Sequence, residues 1–193
     1  MQLILASQSP RRRELLGLFR RPFVVRVADI DETMDPALTP DRAVARVCEK
    51  KAAAVAMRRP ADLILAADTI VVVDGQILGK PHSETEARAM LRRLSGRSHT
   101  VMTGFCLLQN GKAETHVEQT HLEFKPLSDR EIDTYVATGS PMDKAGAYGI
   151  QDQAAVFVRR LEGDYYNVMG LPLCALVQGL RRHGVAVLGT VEP

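Results

Sequence analysis

The sequence predicts a single α/β domain spanning residues 1–193. Three observations carry that expectation. Short runs rich in Val, Ile and Leu alternate along the chain with amphipathic stretches of helical period. Two pairs of such runs are joined through Asp74-Gly75 and Asn110-Gly111, dipeptides that tolerate positive φ and so favour tight hairpins. No linker, internal repeat or low-complexity segment interrupts the alternation, and a chain of this length buries roughly 70% of its unfolded surface without staples.

Taken in order, Leu3–Ala6 reads as a short buried strand. Ser9 is a good N-cap and Pro10 a good first helical residue, so a helix runs from Pro10 to about Phe19. Arg11, Arg12 and Arg13 stand in its first turn, where they oppose the helix dipole unless an anion balances them. Ser7, Ser9, Arg11 and Arg12 therefore read as a phosphate cradle, although the glycines of a P-loop are lacking. Phe23–Val27 is a second strand, followed by Asp29-Ile30-Asp31-Glu32. That loop is either solvated charge or a source of oxygen ligands for a hard divalent cation. Thr39-Pro40-Asp41 opens a helix with Val44, Val47, Ala52 and Val55 on one side. Lys51, beside three alanines, is either an exposed helix lysine or one whose stem reaches into a crowded site.

Leu63–Val73 is a strand that turns at Asp74-Gly75 and is followed by Lys80 between Gly79 and Pro81. It carries one acid, Asp68, which would be costly to bury without a partner. Asp68 either is solvated or ion-paired at a strand end, or joins Lys80 at one end of the hairpin. Ser83–Glu86 caps a helix with Ala87, Met90, Leu91 and Leu94 on one face. His99–Leu108 and His116–Phe124 form the second hairpin, and Ser128–Glu131 caps a short helix to Val136. Asp143–Gln151 is rich in small residues that allow close backbone approach to a ligand. Ala154–Val158 reads as a strand, Gly163–Pro172 as a loop and Leu173–Arg182 as the last helix; residues 184–193 pair as a short strand or fray.

Composition bounds the function. Hydrophobic residues make up 46% and charged residues 25%, ordinary for a soluble globular protein. Cys48, Cys106 and Cys174 are too few and too scattered for a disulfide framework or a zinc site, and read as core residues in a reducing compartment. No apolar run is long enough to span a membrane, so a cytoplasmic location is expected. The basic doublets, such as Arg92-Arg93, Arg159-Arg160 and Arg181-Arg182, read mostly as helix ends. A net charge of +2, 5% aromatic residues and no Trp argue against a nucleic-acid partner.

Several motifs occur in a fixed order: Leu5-Ala6-Ser7-Gln8-Ser9-Pro10-Arg11-Arg12, Lys51-Ala52, Ala67-Asp68-Thr69-Ile70-Val71, Gly79-Lys80-Pro81, Asp143–Gln151 and Gly163–Pro172. In this the chain closely resembles the Maf family of nucleoside triphosphate pyrophosphatases, from Leu3 to about Leu180. The resemblance implies an anvil-like α/β fold, with a long central mixed β-sheet flanked by helices and a cleft between two lobes. It implies hydrolysis between the α and β phosphates, a divalent metal (Mg²⁺ or Mn²⁺), a homodimer and a house-cleaning role that keeps non-standard nucleotides out of nucleic acids. The family has also been linked to inhibition of septum formation. Arg11, Thr69 and Gln151 match the branch acting on dTTP and UTP. After Gln151 the chain departs from the pattern, with Asp152-Gln153-Ala154 in place of a glycine-containing turn.

Carried onto this sequence, the resemblance makes Asp68 the proton acceptor, with Arg12, Lys51 and Lys80 as phosphate-binding cations. Ser7 and Ser9 add donors, Glu32 and Asp68 hold the metal, and Arg11, Thr69 and Gln151 set specificity, the last two by hydrogen-bonding the pyrimidine edge. A nucleotide-binding regulator without turnover would need the cations alone; the accompanying acids Glu32 and Asp68 favour the enzyme.

Overall fold

The computed structural model describes residues 1–27 and 29–189. Among the described residues seven strands form one mixed sheet in the order β2-β1-β3-β5-β6-β7, with β4 paired to β3. They are β1 (Leu3–Leu5), β2 (Val24–Val25), β3 (Leu63–Val73), β4 (Gln76–Leu78), β5 (Ser98–Gln109), β6 (Lys112–Phe124) and β7 (Val158–Glu162). The helices are α1 (Pro10–Gly17), α2 (Pro40–Ala56), α3 (Glu84–Leu94), α4 (Asp129–Val136), α5 (Tyr165–Met169) and α6 (Leu173–Arg182). This is the mixed sheet with flanking helices that the sequence led us to expect. No helix among the described residues is long and apolar enough to cross a membrane.

The chain divides into two compact units, the first comprising Met1–Asp68, Thr103–Glu118 and Gly170–Pro193, the second Thr69–Met102 and Gln119–Met169. In the first unit β1 pairs in parallel with β2 and with β3, Leu5 lying opposite Leu65. The apolar runs of β1 and of β3 up to Ala67 are buried throughout, as parallel strands covered on both faces must be. Helix α2 packs tightly here. A Cβ on Gly104 of β5 would lie 3.1 Å from the Cys48 sulfur and 3.5 Å from the Val44 backbone. Glycine at that position lets the helix approach closely, and Val44, Val47, Cys48, Lys51 and Ala52 become buried.

In the second unit β3 turns through Asp74 (φ 52°) and Gly75 (φ 71°) into β4, with Val72 opposite Ile77. Arg93 and Arg97 both pair with Asp74. The core holds Val71, Leu91, Leu94, Phe124, Ile132, Tyr135, Tyr148 and Phe157. Ser83 caps α3, and Ser128 with Glu131 forms a reciprocal capping box on α4. Gly146 adopts φ 67°, and a Cβ there would come within 2.8 Å of a Val71 methyl, so the small-residue segment lies directly against β3.

Several local expectations are corrected. Ala154–Val158 is not a strand: Gln153–Phe157 is a 3₁₀ turn, and β7 begins only at Val158. The Asp152 side chain accepts from the Ala154 N–H at 2.9 Å, and this local cap outweighs the apolar run's strand preference. Arg159 and Arg160 consequently lie on a strand, pairing with Glu123 and Glu162. The loop Gly163–Pro172 contains α5, because Asp164 Oδ1 accepts from the N–H groups of Tyr166 and Asn167. The second strand shrinks to Val24–Val25, and β6 starts four residues early, at Lys112. Cys48 and Cys106 are buried as expected, whereas Cys174 is exposed. Of the tail, Val187 is buried and residues 190–193 lie outside the described residues.

His99 is buried in the second unit, its Nε2 2.7 Å from the Tyr148 hydroxyl and its ring edge-on to Phe124 and Tyr148. Its Nδ1 has no hydrogen-bond partner among the described residues. Burial pushes its pKa down to about 4. The folded protein therefore keeps His99 neutral while an unfolded chain takes up a proton below pH 6.5. That stabilisation is complete above about pH 6.5 and drains away as pH falls towards 4, on the order of 3 kcal/mol in all. Denaturant titrations across this range should show the loss, with a shallower slope in His99→Phe. Gly146→Ala meets both the Val71 contact and an unfavourable φ, so it should cost about 2 kcal/mol or more in the same assay.

Candidate active site

Lys51 projects from the buried face of α2, and only 7% of its surface is exposed. An ammonium in that position must be paired. Its Nζ lies 2.9 Å from Asp68 Oδ1 and 2.9 Å from Glu32 Oε2. Asp68 is the last residue of the first unit along β3, its side chain 16% exposed. Glu32 comes from the acidic loop after β2 and is half exposed at 51%. Within that loop Asp31 accepts from the Thr33 N–H at 2.9 Å, a local turn around Glu32, whose carboxylate reaches Lys51. Of its two alternatives, Lys51 is the buried one that reaches across; Asp68 is ion-paired as the first of its alternatives has it, but to Lys51 and from within β3 rather than at a strand end.

The strand-to-helix turn after β1 supplies the next cation. Ser9 caps α1 by accepting from the Arg12 N–H at 3.4 Å. Ser7, itself buried, accepts from the Ser9 N–H at 3.2 Å and from Arg12 Nη1 at 3.3 Å. Arg12 Nε donates to the Gly170 carbonyl at 2.8 Å. The guanidinium is thus held from two sides. Burial pushes its pKa down, against the negative charges of Asp68 and Glu32 and with the help of neighbouring Arg11. Cys48 sits beneath this group; burial and Asp68 hold its thiol far above the usual range despite Arg12 and Lys51. It is packing, not a nucleophile.

Gly170 was not foreseen as part of the site. It adopts φ 112°, a region that favours glycine, and the Gly163–Pro172 motif was the only signal for it. Arg11 is half-buried beside Arg12. The other expected residues belong to the second unit. Thr69 follows Asp68 directly in β3 and is half-buried, Lys80 is exposed after β4, and Gln151 is exposed within the turn 149–152. In the first unit, then, the chain brings Ser7, Ser9, Arg12, Glu32, Lys51 and Asp68 together. Two cations and two carboxylates gathered this way can neutralise phosphate oxygens, place a proton acceptor beside them and offer oxygen ligands to a hard cation. Among the described residues no group of three or more His, Cys, Asp or Glu side chains forms a protein-only metal cage. A Mg²⁺-type site built from one or two carboxylates and substrate phosphates needs none.

The chain is similar to known proteins over nearly its whole length. A family described as Maf-like protein matches residues 2–183. A dTTP/UTP pyrophosphatase of Halalkalibacterium halodurans is 55% identical over 94% of this chain and 96% of that protein. One from Salinibacter ruber is 55% identical over 93% of this chain and 89% of its own length. One from Pyrococcus abyssi is 51% identical over 91% and 93% respectively. Among solved structures, the Ham1 protein of Staphylococcus aureus matches 64% of this chain and 72% of its own at a TM-score of 0.47 and 12% identity. With a family match covering nearly its whole length, the chain belongs to the Maf-like proteins.

Proposed function

We propose that this chain is a nucleoside triphosphate pyrophosphatase that hydrolyses dTTP and UTP to the monophosphate and pyrophosphate. The observation that carries the reading is the buried Lys51 ammonium shared by Asp68 and Glu32 beside the serine-braced Arg12. Relatives named for that activity at 51–55% identity support the choice of substrate.

Cleavage between the α and β phosphates requires neutralised oxygens and a positioned water. Arg12, braced at Nε and Nη1, offers a planar fork to phosphate oxygens, while Lys51 supplies a point charge. Lys80 is a third cation in the proposal. Asp68, anchored through one carboxylate oxygen to Lys51, accepts a proton from the attacking water. Asp68 and Glu32 each place one oxygen on Lys51 Nζ; their remaining carboxylate oxygens would hold Mg²⁺ or Mn²⁺, which would supply charge neutralisation for the phosphates. Thr69 and Gln151 pair with the pyrimidine edge, aided by Arg11, and a site whose polar groups must be satisfied rejects bases that leave them unpaired. A homodimer, a cytoplasmic location and a house-cleaning role complete the proposal, as the sequence likeness implies.

The test is pyrophosphate release from each nucleoside triphosphate by purified protein. UTP and dTTP should be turned over in Mg²⁺ or Mn²⁺, and chelation should abolish the activity reversibly. Asp68→Asn should lower kcat by about 10² or more. Glu32→Gln should raise the metal concentration needed for half-maximal rate by about tenfold or more. Absence of turnover with both pyrimidines, or an Asp68→Asn enzyme as fast as its parent, would sink the reading.

A further inference from the structure

We infer that Asp152 is a positioning residue for substrate selection, its carboxylate holding the turn that presents Gln151. The inference rests on the proposed role of Gln151 in reading the pyrimidine. The turn 149–152 is closed by the Asp152 N–H donating to the Gly149 carbonyl at 3.2 Å. Both of its ends are tied to one hydroxyl. Tyr135 accepts from the Gly149 N–H at 3.2 Å and donates to the Asp152 carboxylate, 3.0 Å from each oxygen. Ser140 donates to Asp152 Oδ2 at 2.6 Å, and the Ala154 N–H to Oδ1 at 2.9 Å. Lys144 Nζ stands 3.7 Å from Oδ2, itself held by the Ser140 carbonyl and by Asp143, each at 2.6 Å.

This anchor is rigid because its centre is buried. Tyr135 is 2% exposed, with its ring edge-on to Phe157 at 5.4 Å. Burial and the Asp152 charge push its phenol pKa well up, which keeps the hydroxyl a donor. A side chain at Gly149 would have to push Lys144 and Asp152 aside, since a Cβ would lie 2.6 Å from Lys144 Cε and 2.8 Å from Asp152 Oδ2. Gln151 alone of this turn is exposed without being part of the tie. A side-chain amide that reads a base edge must be held to about 0.5 Å, and here the holding falls to Asp152 and Tyr135. Arg12, Lys51 and Asp68 lie in the other unit, so loosening this turn should spare the chemistry and cost recognition.

The experiment compares the parent, Asp152→Ala, Asp152→Asn, Tyr135→Phe and Gln151→Ala by steady-state hydrolysis of UTP and GTP. Amide hydrogen exchange of peptides covering residues 149–155 is measured without nucleotide. Asp152→Ala should raise KM for UTP about tenfold with kcat within about twofold, and lower the preference for UTP over GTP about tenfold. Exchange across 149–155 should quicken in Asp152→Ala and Tyr135→Phe. Asp152→Asn, which keeps an oxygen acceptor, should recover most of the KM. Equal losses of rate on both substrates with a lowered Tm would indicate a merely structural role and overturn the inference. If Gln151→Ala keeps the parent's preference, the reading of Gln151 falls and takes the inference with it. If Gln151→Ala loses the preference while Asp152→Ala keeps it, the inference alone falls.

Discussion

The Lys51 ammonium between Asp68 and Glu32 is the interaction on which the first unit's site depends. A buried cation costs several kcal/mol to desolvate unless its partners are close and well placed. Two carboxylates at 2.9 Å meet that need. The same pairing keeps two acids near each other that would otherwise repel. Structure and proposed chemistry thus draw on one charge balance: a cation that stabilises the carboxylates in the folded chain is also one that phosphate can share.

Backbone packing places that ammonium. Gly104 admits α2 to van der Waals contact with β5, so a lysine on the buried face of the helix has nowhere to go but towards β3. β1 and the apolar stretch 63–67 that opens β3 run parallel in register, which sets Asp68 just beyond a buried stretch of strand rather than on a loop. After β1, Ser9 satisfies an early N–H of α1 while Ser7 accepts from the Ser9 N–H and braces the Arg12 guanidinium, and the Gly170 carbonyl fastens the guanidinium from a distant part of the chain. The second unit solves a different problem by the same means. A polar tie centred on Tyr135 and Asp152 orders an exposed turn that apolar packing alone would leave loose.

What was legible in the sequence was local. The Asp74-Gly75 and Asn110-Gly111 turns, with φ of 52° and 71° and of 50° and 75°, follow from residues that accept those angles. The caps at Ser9, Ser83 and Ser128 need only a hydroxyl a few residues before the helix. The site residues could be nominated by charge and by likeness, but the pairing of Lys51 with Glu32 and Asp68 joins positions far apart in sequence that no spacing rule connects. Ala154–Val158 misled because its strand-like run is preceded by an acid whose carboxylate caps the next turn. Gly170 escaped notice because its contribution is a carbonyl, which leaves no mark on residue type.

The claim that Lys51 and Asp68 act as one unit is tested most directly by a double-mutant cycle on kcat/KM for UTP, using Lys51→Met, Asp68→Asn and the pair together. Groups that share a charge balance are strongly non-additive. The account predicts that the double variant is little worse than the poorer single variant. Losses that simply add, leaving the double variant slower by the product of the two single effects, would contradict it.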